Sequence, residues 1–216
     1  MIDLHSHTFF SDGVLIPSEL ACRALAAGYK AICISDHVDF SNMDITIPRI
    51  AKVSKILTRE YKIKVIPGVE LTYIQPRLIS QALRMARNLG AQIVLVHGET
   101  VVEPVPQGTN RAAIEAKVDI LAHPGLISKD EVKLARTNKV LLEITTRNGH
   151  NKTNKHVAGL AQIYGAKLVF NTDTHQPEDL MTETLIKSTL SAAHLAQKDF
   201  KTMQENAYTL LKVKEL

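Results

Sequence analysis

Short apolar runs rich in Ile, Val and Leu recur along the chain, and stretches with helical spacing of apolar positions separate them. The runs predict seven strands: Ile2–His5, Ala31–Ser35, Val65–Val69, Ile93–His97, Asp119–Ala122, Val140–Ile144 and Lys167–Asn171. Because each run is apolar almost throughout, the strands are expected to be buried on both faces. The pattern therefore predicts a parallel sheet covered by helices.

The segments between these runs predict amphipathic helices. The clearest boundaries belong to the first helix, Ser18–Ala27, which follows Pro17 and stops at Gly28. The other predicted helices are one with an apolar face of Ile50, Val53, Ile56 and Leu57, one from Pro76 to Gly90, then Ser128–Thr137, Asn154–Tyr164, Leu180–Leu195 and about Lys198 to Leu211. Seven strand–helix units in a chain of this length favour a closed or nearly closed α/β barrel over an open sheet.

The chain shows no linker rich in proline, glycine and serine and no break in composition. Residues 1–216 are therefore expected to form a single barrel domain. The last predicted helix, about 198–213, either packs on the barrel or makes a dimer contact, and packing on the barrel is the simpler assumption. The oligomeric state stays open at this point.

Composition narrows the functional classes only slightly. With 45% hydrophobic and 22% charged residues, the chain is ordinary for a globular protein, which excludes disordered and low-complexity classes. No apolar run is long enough to span a membrane, no secretory leader is recognisable, and two isolated cysteines favour the cytoplasm. The net charge of +4 suits an anionic substrate but is too small to predict nucleic-acid binding.

Polar residues of the kinds that bind metals occur where the predicted strands end. Six of the nine histidines and two carboxylates lie there: His5 and His7 at the first strand, then His37, Glu70, His97 and His123 at the next four, and Asp173 and His175 after the seventh. The C-terminal ends of barrel strands gather at one mouth, so these side chains are expected to converge. Imidazoles and carboxylates without thiolates suit Zn, Mn or Fe, and so many ligands predict two or three ions bridged by Glu70.

The sixth predicted strand leads into polar residues suited to binding a substrate. Arg147 can grip a phosphate through two parallel hydrogen bonds, although the pattern fits an arginine on a solvated loop as well. His150 and Lys152 follow in a loop that faces the predicted site, where each residue either contacts the substrate or has a structural role. The segment Glu99–Asn110 contains two prolines and a glycine and is a candidate lid.

Several short motifs resemble those of the PHP family, named for its polymerase and histidinol phosphatase members. They are Asp3-Leu4-His5-Ser6-His7-Thr8 with Ser11-Asp12-Gly13, then Ser35-Asp36-His37, Gly68-Val69-Glu70, Val96-His97-Gly98, His123-Pro124-Gly125 and Asn171-Thr172-Asp173-Thr174-His175. Together these motifs cover nearly the whole chain, from Asp3 to about His175. The resemblance implies a distorted (β/α)7 TIM-like barrel whose site usually holds three metal ions.

The resemblance also implies how the ligands divide among the ions. One ion would be held by His5, His7, Glu70 and Asp173, a second by Glu70, His97 and His123, and a third by His37, His175 and a residue of the first loop. Many phosphatase-type members have a histidine in that loop, whereas this chain has Asp12. Asp12 either binds the third ion or serves as a turn residue before Gly13.

These residues together predict a metal-dependent phosphatase with Glu70, Asp36 and Arg147 in catalytic roles. Closely spaced ions bridge a hydroxide that attacks phosphorus and clamp both ends of an in-line displacement, so the expected substrate is the phosphate monoester of a small metabolite. Asp36 would either protonate the leaving oxygen or orient His37. The resemblance makes histidinol phosphate a candidate substrate.

Three other functions fit parts of the pattern. A phosphodiesterase or exonuclease acting on nucleotides would use the same ions but needs a groove for the chain, and a diester substrate would distinguish it. A noncatalytic module stabilised by metal would serve a partner, but such a site would lack ligands, whereas this set looks complete. A C–N hydrolase on a related barrel would need a metal-bridging lysine, and no predicted strand ends in one.

Overall fold

Eight parallel strands form one sheet in the computed structural model, which describes residues 1–216. The strands are β1 (Ile2–Asp3), β2 (Ala31–Ile34), β3 (His37–Val38), β4 (Lys64–Leu71), β5 (Ile93–His97), β6 (Ile120–Ala122), β7 (Leu141–Thr145) and β8 (Leu168–Asn171). Neighbours follow the order β1-β2-β4-β5-β6-β7-β8, and the short β3 pairs with β4 beyond the end of β2. This seven-strand path matches the predicted strands, and β3 is an addition that the apolar pattern did not reveal.

The sheet closes at the mouth through the residues that follow its first and last strands. The amide of His7 donates to the carbonyl of Thr174 at 2.8 Å, and the amide of Asp173 donates to the carbonyl of His5 at 3.0 Å. These bonds join the chain after β1 to the chain after β8, so the sheet is a nearly closed barrel. The predicted α/β, TIM-like fold is confirmed.

Eight α-helices surround the sheet. They are α1 (Pro17–Ala26), α2 (Met43–Glu60), α3 (Ile79–Asn88), α4 (Thr109–Ala116), α5 (Lys129–Asn138), α6 (Asn154–Tyr164), α7 (Glu183–Ala192) and α8 (Gln197–Val213). All except α4 lie where helices were predicted, with small shifts at the ends. The sequence of α4 is short and has few large apolar residues, and the helix begins after Gly108, which has a positive φ of 90°. No helix combines the length and hydropathy needed to cross a membrane.

The predicted apolar face of α2 is correct only in part. Ile50 and Leu57 are buried, but Ile56 is 42% exposed. Met43 and Ile47 are buried in the first turns of the helix. The buried face of α2 therefore begins at its N-terminal end, with Met43 and Ile47. Ile56 lies off this face and points to solvent.

The helix α8 closes the base of the barrel, where the strands begin. Ala207 and Leu211 are buried against the apolar residues that fill the barrel interior. The side-chain amide of Gln204 accepts a hydrogen bond from the amide of Ile2 at 2.7 Å and donates one to its carbonyl at 2.9 Å. Asn206 donates to a carbonyl of β8 at 2.9 Å. Thus α8 packs on the barrel and links its first strand to its last.

Candidate metal centre

The residues at the mouth lie where strands end and the chain turns. His97 is the last residue of β5, and His123 directly follows β6. His123 and Asp173 have positive φ angles of 24° and 55°, which residues other than glycine rarely adopt. Strained backbone of this kind clusters at functional sites, and here it accompanies two buried side chains of the mouth.

Glu70 of β4 lies at the centre of the buried cluster. Its Oε2 atom is 3.3 Å from Nε2 of His5 and 3.6 Å from Nε2 of His7. The same oxygen is 2.8 Å from Nδ1 of His37. Its other oxygen, Oε1, is 3.3 Å from Nε2 of His123. A carboxylate with histidines at both of its oxygens has the arrangement that bridging two ions requires.

The remaining members of the first two predicted ligand sets are also brought together. Oδ1 of Asp173 is 3.0 Å from Nε2 of His7 and 3.6 Å from Nε2 of His5. His97 forms a group with Glu70 and His123 in which the ligand atoms all lie within 4.8 Å of one another. The fold thus collects, at one point, side chains that are far apart in the sequence.

Asp12 joins the third predicted ligand set from the loop after β1. Its Oδ1 atom is 3.2 Å from Nε2 of His175, 3.6 Å from Nε2 of His37 and 3.9 Å from Nδ1 of His7. Its side chain is 57% exposed, whereas the central ligands are buried. The structure therefore places Asp12 among imidazoles at the open edge of the cluster.

The cluster contains buried polar atoms that lack hydrogen-bond partners, which is unusual in a folded protein. Eight buried side-chain atoms make no hydrogen bond of suitable geometry, although some lie close to one another, and seven of the eight belong here: Nε2 of His5 and His7, Nδ1 of His97 and His123, both oxygens of Glu70, and Oδ1 of Asp173. Burying polar atoms without partners is costly, and divalent cations would satisfy them. The residues present therefore fit the metal ions that the sequence predicts.

The pKa values of two central ligands, Glu70 and His7, are shifted in the direction that suits metal binding. Burial opposes ionisation of Glu70, but the imidazoles of His5 and His37 hold its pKa well below the usual range. Burial, aided by the neighbouring His37, lowers the pKa of His7 to about 3. An ionised carboxylate and a neutral imidazole are the forms in which these side chains bind metals. Despite burial, neighbouring carboxylates raise the pKa of His5, His37 and His123, so a cation would displace a proton from those rings.

A carboxylate inside β7, Glu143, supports the cluster and was not predicted. It is fully buried, and its Oε1 lies 2.8 Å from Nδ1 of His5 and accepts from the amide group of Asn171 at 2.8 Å. Its Oε2 accepts from the backbone amide of His123 at 2.9 Å. Metal-binding histidines commonly donate their second ring nitrogen to a carboxylate, which leaves Nε2 of His5 for an ion. The signal in the sequence was a single charge within an apolar strand.

The contacts of Asp36 differ from those expected of a residue that orients His37. Its buried carboxylate accepts hydrogen bonds from the amide and the hydroxyl of Thr8, both at 2.7 Å, and from the hydroxyl of Ser11 at 2.8 Å. Burial raises the pKa of Asp36, and these hydrogen bonds oppose the rise. Because its oxygens hold the loop that carries Asp12, the prediction that it orients His37 is wrong. Its role as a general acid stays a prediction.

The candidate lid, Glu99–Asn110, is shorter than predicted because α4 begins within it. A carboxylate of this segment reaches the cluster: Oε2 of Glu103 is 3.1 Å from Nε2 of His97, and Oε1 is 3.4 Å from Nε2 of His150. The hydroxyl of Tyr73 donates to Oε2 at 2.9 Å. Sequence reasoning missed Glu103, since nothing in its local pattern shows which way the segment folds.

The three predicted substrate contacts take different positions. His150 is buried, and its ring stacks on that of His123 with centroids 4.3 Å apart. Arg147 is partly exposed and pairs with Asp179, with Nη1 and Oδ2 3.1 Å apart. It is therefore fixed by a carboxylate and does not extend freely into solvent. Lys152 is exposed and forms no ion pair.

A match to the PHP domain extends over residues 3–162. The chain belongs to the PHP family. The match includes the ligand candidates from His5 to His123, while Asp173 and His175 follow its end. The family indicated by the short sequence motifs is confirmed, and the geometry shows that the two later residues of this PHP protein join the same cluster as the earlier ones.

This PHP protein is similar to one sequence relative and two solved structures. The uncharacterized protein MJ1295 of Methanocaldococcus jannaschii is 48% identical over 199 residues, which are 91% of each chain. A chain in archaeal ribonuclease P, solved with mature tRNA, matches with a TM-score of 0.75 and 19% identity, over 100% of this chain and 91% of that chain. Histidinol phosphate phosphatase from Lactococcus lactis, solved with zinc, L-histidinol and phosphate, matches with a TM-score of 0.65 and 19% identity, over 89% and 92%. The two structural matches show a shared fold.

Proposed function

We propose that this PHP protein is a metal-dependent phosphoesterase that hydrolyses the phosphate monoester of a small metabolite. The observation that carries the proposal is the convergence of all nine predicted ligands in one cluster whose central atoms lack hydrogen-bond partners. Membership of the PHP family supports the same chemistry. Two or three divalent cations, Zn, Mn or Fe, are the expected cofactors.

The ligands would divide among the cations by their positions. His5, His7, Glu70 and Asp173 would hold one cation, Glu70, His97 and His123 a second, and Asp12, His37 and His175 a third. When bound, the cations supply an activated water and neutralise the charge of the phosphate. Glu70 is the residue that would fix the distance between the first two cations, because its two oxygens face different histidines.

Arg147 is the proposed phosphate contact among the protein's own side chains. Its partner Asp179 also accepts a hydrogen bond from the amide of His175 at 2.9 Å, so the guanidinium is held beside the third ligand set. A guanidinium fixed in this way keeps donors free for a phosphate oxygen. His150 would contact the organic part of the substrate from the opposite side, near His123, and Lys152 would reach it only from the exposed surface.

Histidinol phosphate is the specific substrate that we propose to test. The support for it is the fold shared with the phosphatase solved with L-histidinol and phosphate. Its imidazole and ammonium groups would need partners at the rim, where Glu103 and Tyr73 offer a carboxylate and an aromatic ring. A nucleotide diester would instead need a groove that continues past the cluster.

The test compares p-nitrophenyl phosphate with bis(p-nitrophenyl) phosphate, using protein loaded in turn with Zn, Mn and Fe. We expect the monoester to be hydrolysed faster, and Asp173→Asn to lower that rate by at least about 100-fold because a cation loses a ligand. Faster cleavage of the diester would favour the phosphodiesterase alternative. Metal binding without cleavage of either ester would favour a noncatalytic module. Histidinol phosphate is then assayed against other small phosphomonoesters.

A further inference from the structure

Glu103 brings the segment between β5 and α4 into contact with a predicted metal ligand. Its Oε2 atom lies 3.1 Å from Nε2 of His97, whose side chain is only 3% exposed. Tyr73 donates to the same oxygen at 2.9 Å, and Nε2 of His150 is 3.4 Å from the other oxygen. Three side chains from different elements thus hold this carboxylate at the rim of the cluster.

The ring of His97 has a second nitrogen that is left for a cation. Nδ1 is buried and has no hydrogen-bond partner, whereas Nε2 is the atom that faces Glu103. His97 also belongs, with Glu70 and His123, to one of the groups of closely spaced ligand atoms. The ring is therefore arranged to bind through Nδ1 while it donates its Nε2 hydrogen to Glu103.

His5 shows the same arrangement with Glu143, with the roles of the two ring nitrogens exchanged. Nδ1 of His5 meets Glu143 at 2.8 Å, and Nε2 is buried without a hydrogen-bond partner. Each histidine thus has one nitrogen against a carboxylate outside the predicted ligand sets and one buried nitrogen without a hydrogen-bond partner. The repetition in two unrelated segments indicates a functional pairing of Glu103 with His97.

We infer that Glu103 is a positioning residue that fixes His97 in the tautomer and orientation needed to bind the ion shared with Glu70 and His123. The inference rests on the proposed function only in treating the cluster as a metal site. It assigns the segment between β5 and α4 a role in metal affinity. Because Glu103 lies on this segment, the segment position that brings Glu103 to His97 strengthens binding of that ion. Binding of the ion stabilises the same position in return.

The segment has a second brace that serves as a control. Oε1 of Glu99 accepts hydrogen bonds from the amides of Gly108 and Asn110, at 3.0 Å and 2.9 Å. Glu99 therefore shapes the segment without contacting a histidine. Glu99→Gln removes a negative charge from the same segment, while the remaining side-chain oxygen can still accept both hydrogen bonds. If loss of a charge from the segment were sufficient, Glu99→Gln and Glu103→Gln would have the same effect.

The experiment measures zinc binding to metal-free protein by competition with a chromophoric chelator. We expect Glu103→Gln to bind as many ions as the wild type, with one dissociation constant raised about 10- to 100-fold, and Glu99→Gln to bind like the wild type. The ion concerned is identified with His97→Ala. Adding Glu103→Gln to His97→Ala should weaken zinc binding no further, because the interaction is already absent.

Three results would overturn the inference. The first is that Glu103→Gln binds every ion with unchanged affinity. The second is that Glu103→Gln binds one ion fewer than the wild type, which would make Glu103 a ligand. The third is that Glu99→Gln loses as much zinc affinity as Glu103→Gln. Thermal unfolding of the metal-free variants shows that each is folded. The measurement contains no substrate, so a lack of phosphatase activity would refute the proposed function and leave this result standing.

Discussion

The mouth and the base of the barrel are built from opposite kinds of side chain, although the same strands form both. β5 begins at Ile93, in the apolar interior that α8 covers, and ends at His97 in the metal cluster. At the base, burial of Leu211 removes apolar surface from water and stabilises the fold. At the mouth, burial of Glu70 leaves polar atoms without partners. Stability and chemistry are therefore separated along the barrel axis.

The largest expected effect is a loss of phosphoesterase activity when Glu70 at the mouth is changed. Glu70→Gln keeps the shape of the side chain but removes its charge and one of its two ligand oxygens. We expect monoester hydrolysis to fall by at least about 1,000-fold, because one central ion loses its ligand oxygen and the other loses the negative charge of the shared carboxylate. Zinc should raise the Tm of the variant less than that of the wild type, as measured by circular dichroism, because only the third ligand set does not depend on Glu70. Equal stabilisation of both proteins by zinc would contradict the assignment of Glu70.

The next effect is expected at the base and should be one of stability alone. Leu211→Ala leaves a cavity beneath α8 and is expected to lower the free energy of unfolding by about 2–3 kcal/mol. Urea unfolding measures this change, while the rise in Tm caused by zinc and the KM for the monoester should stay as in the wild type. The control is Tyr208→Ala on the same helix, where a 61% exposed side chain should contribute less than about 0.5 kcal/mol. A large change in KM for Leu211→Ala would mean that the two ends are coupled.

The smallest expected effect concerns Glu143, which contributes both to the stability of the fold and to the metal cluster. Glu143 accepts hydrogen bonds from side-chain or backbone donors on three residues, so Glu143→Gln places an amide hydrogen against one of these donors. We expect a loss of about 1–2 kcal/mol in the free energy of unfolding, measured in urea. Zinc affinity should fall about tenfold, because His5 loses the carboxylate that orients it.

The exposed carboxylate of Glu178 provides the control for that comparison. Glu178→Gln also removes a negative charge, from the exposed segment after His175, and should change neither the free energy of unfolding nor zinc affinity. If Glu143→Gln altered zinc affinity without altering unfolding, the carboxylate would act only on the metal, and the separation between the two ends of the barrel would be sharper than proposed.

The site residues that could be predicted from the sequence are those whose positions follow from the direction of the strands. His97 and His123 end apolar runs, and the ends of parallel strands meet at one mouth, so their convergence followed from the sequence. Glu143 also carried a signal, because a charge within a strand buried on both faces must meet a partner. The apolar pattern was sufficient to predict the positions of His97 and His123, whereas Glu143 was missed although its position carried this signal.

Contacts made by loops could not be predicted in the same way. The role of Asp36 depends on how the residues after β1 fold back over its carboxylate, and that of Glu103 on the path between β5 and α4. Neither path leaves a periodic pattern in the sequence. The helix α4 was missed for a related reason, since its capping glycine and few apolar residues are also typical of a loop.

The amide contacts of Gln204 and Asn206 have a consequence for the order in which the molecule is completed during translation. All the strands precede α8 in the chain, so the base of the barrel stays uncovered on the ribosome until Ala207 and Leu211 emerge. The cluster draws ligands from the residues that follow the first and the last strand, so it is complete only when His175 has emerged. We therefore expect a nascent chain to acquire all its metal ions only after His175 has been synthesised.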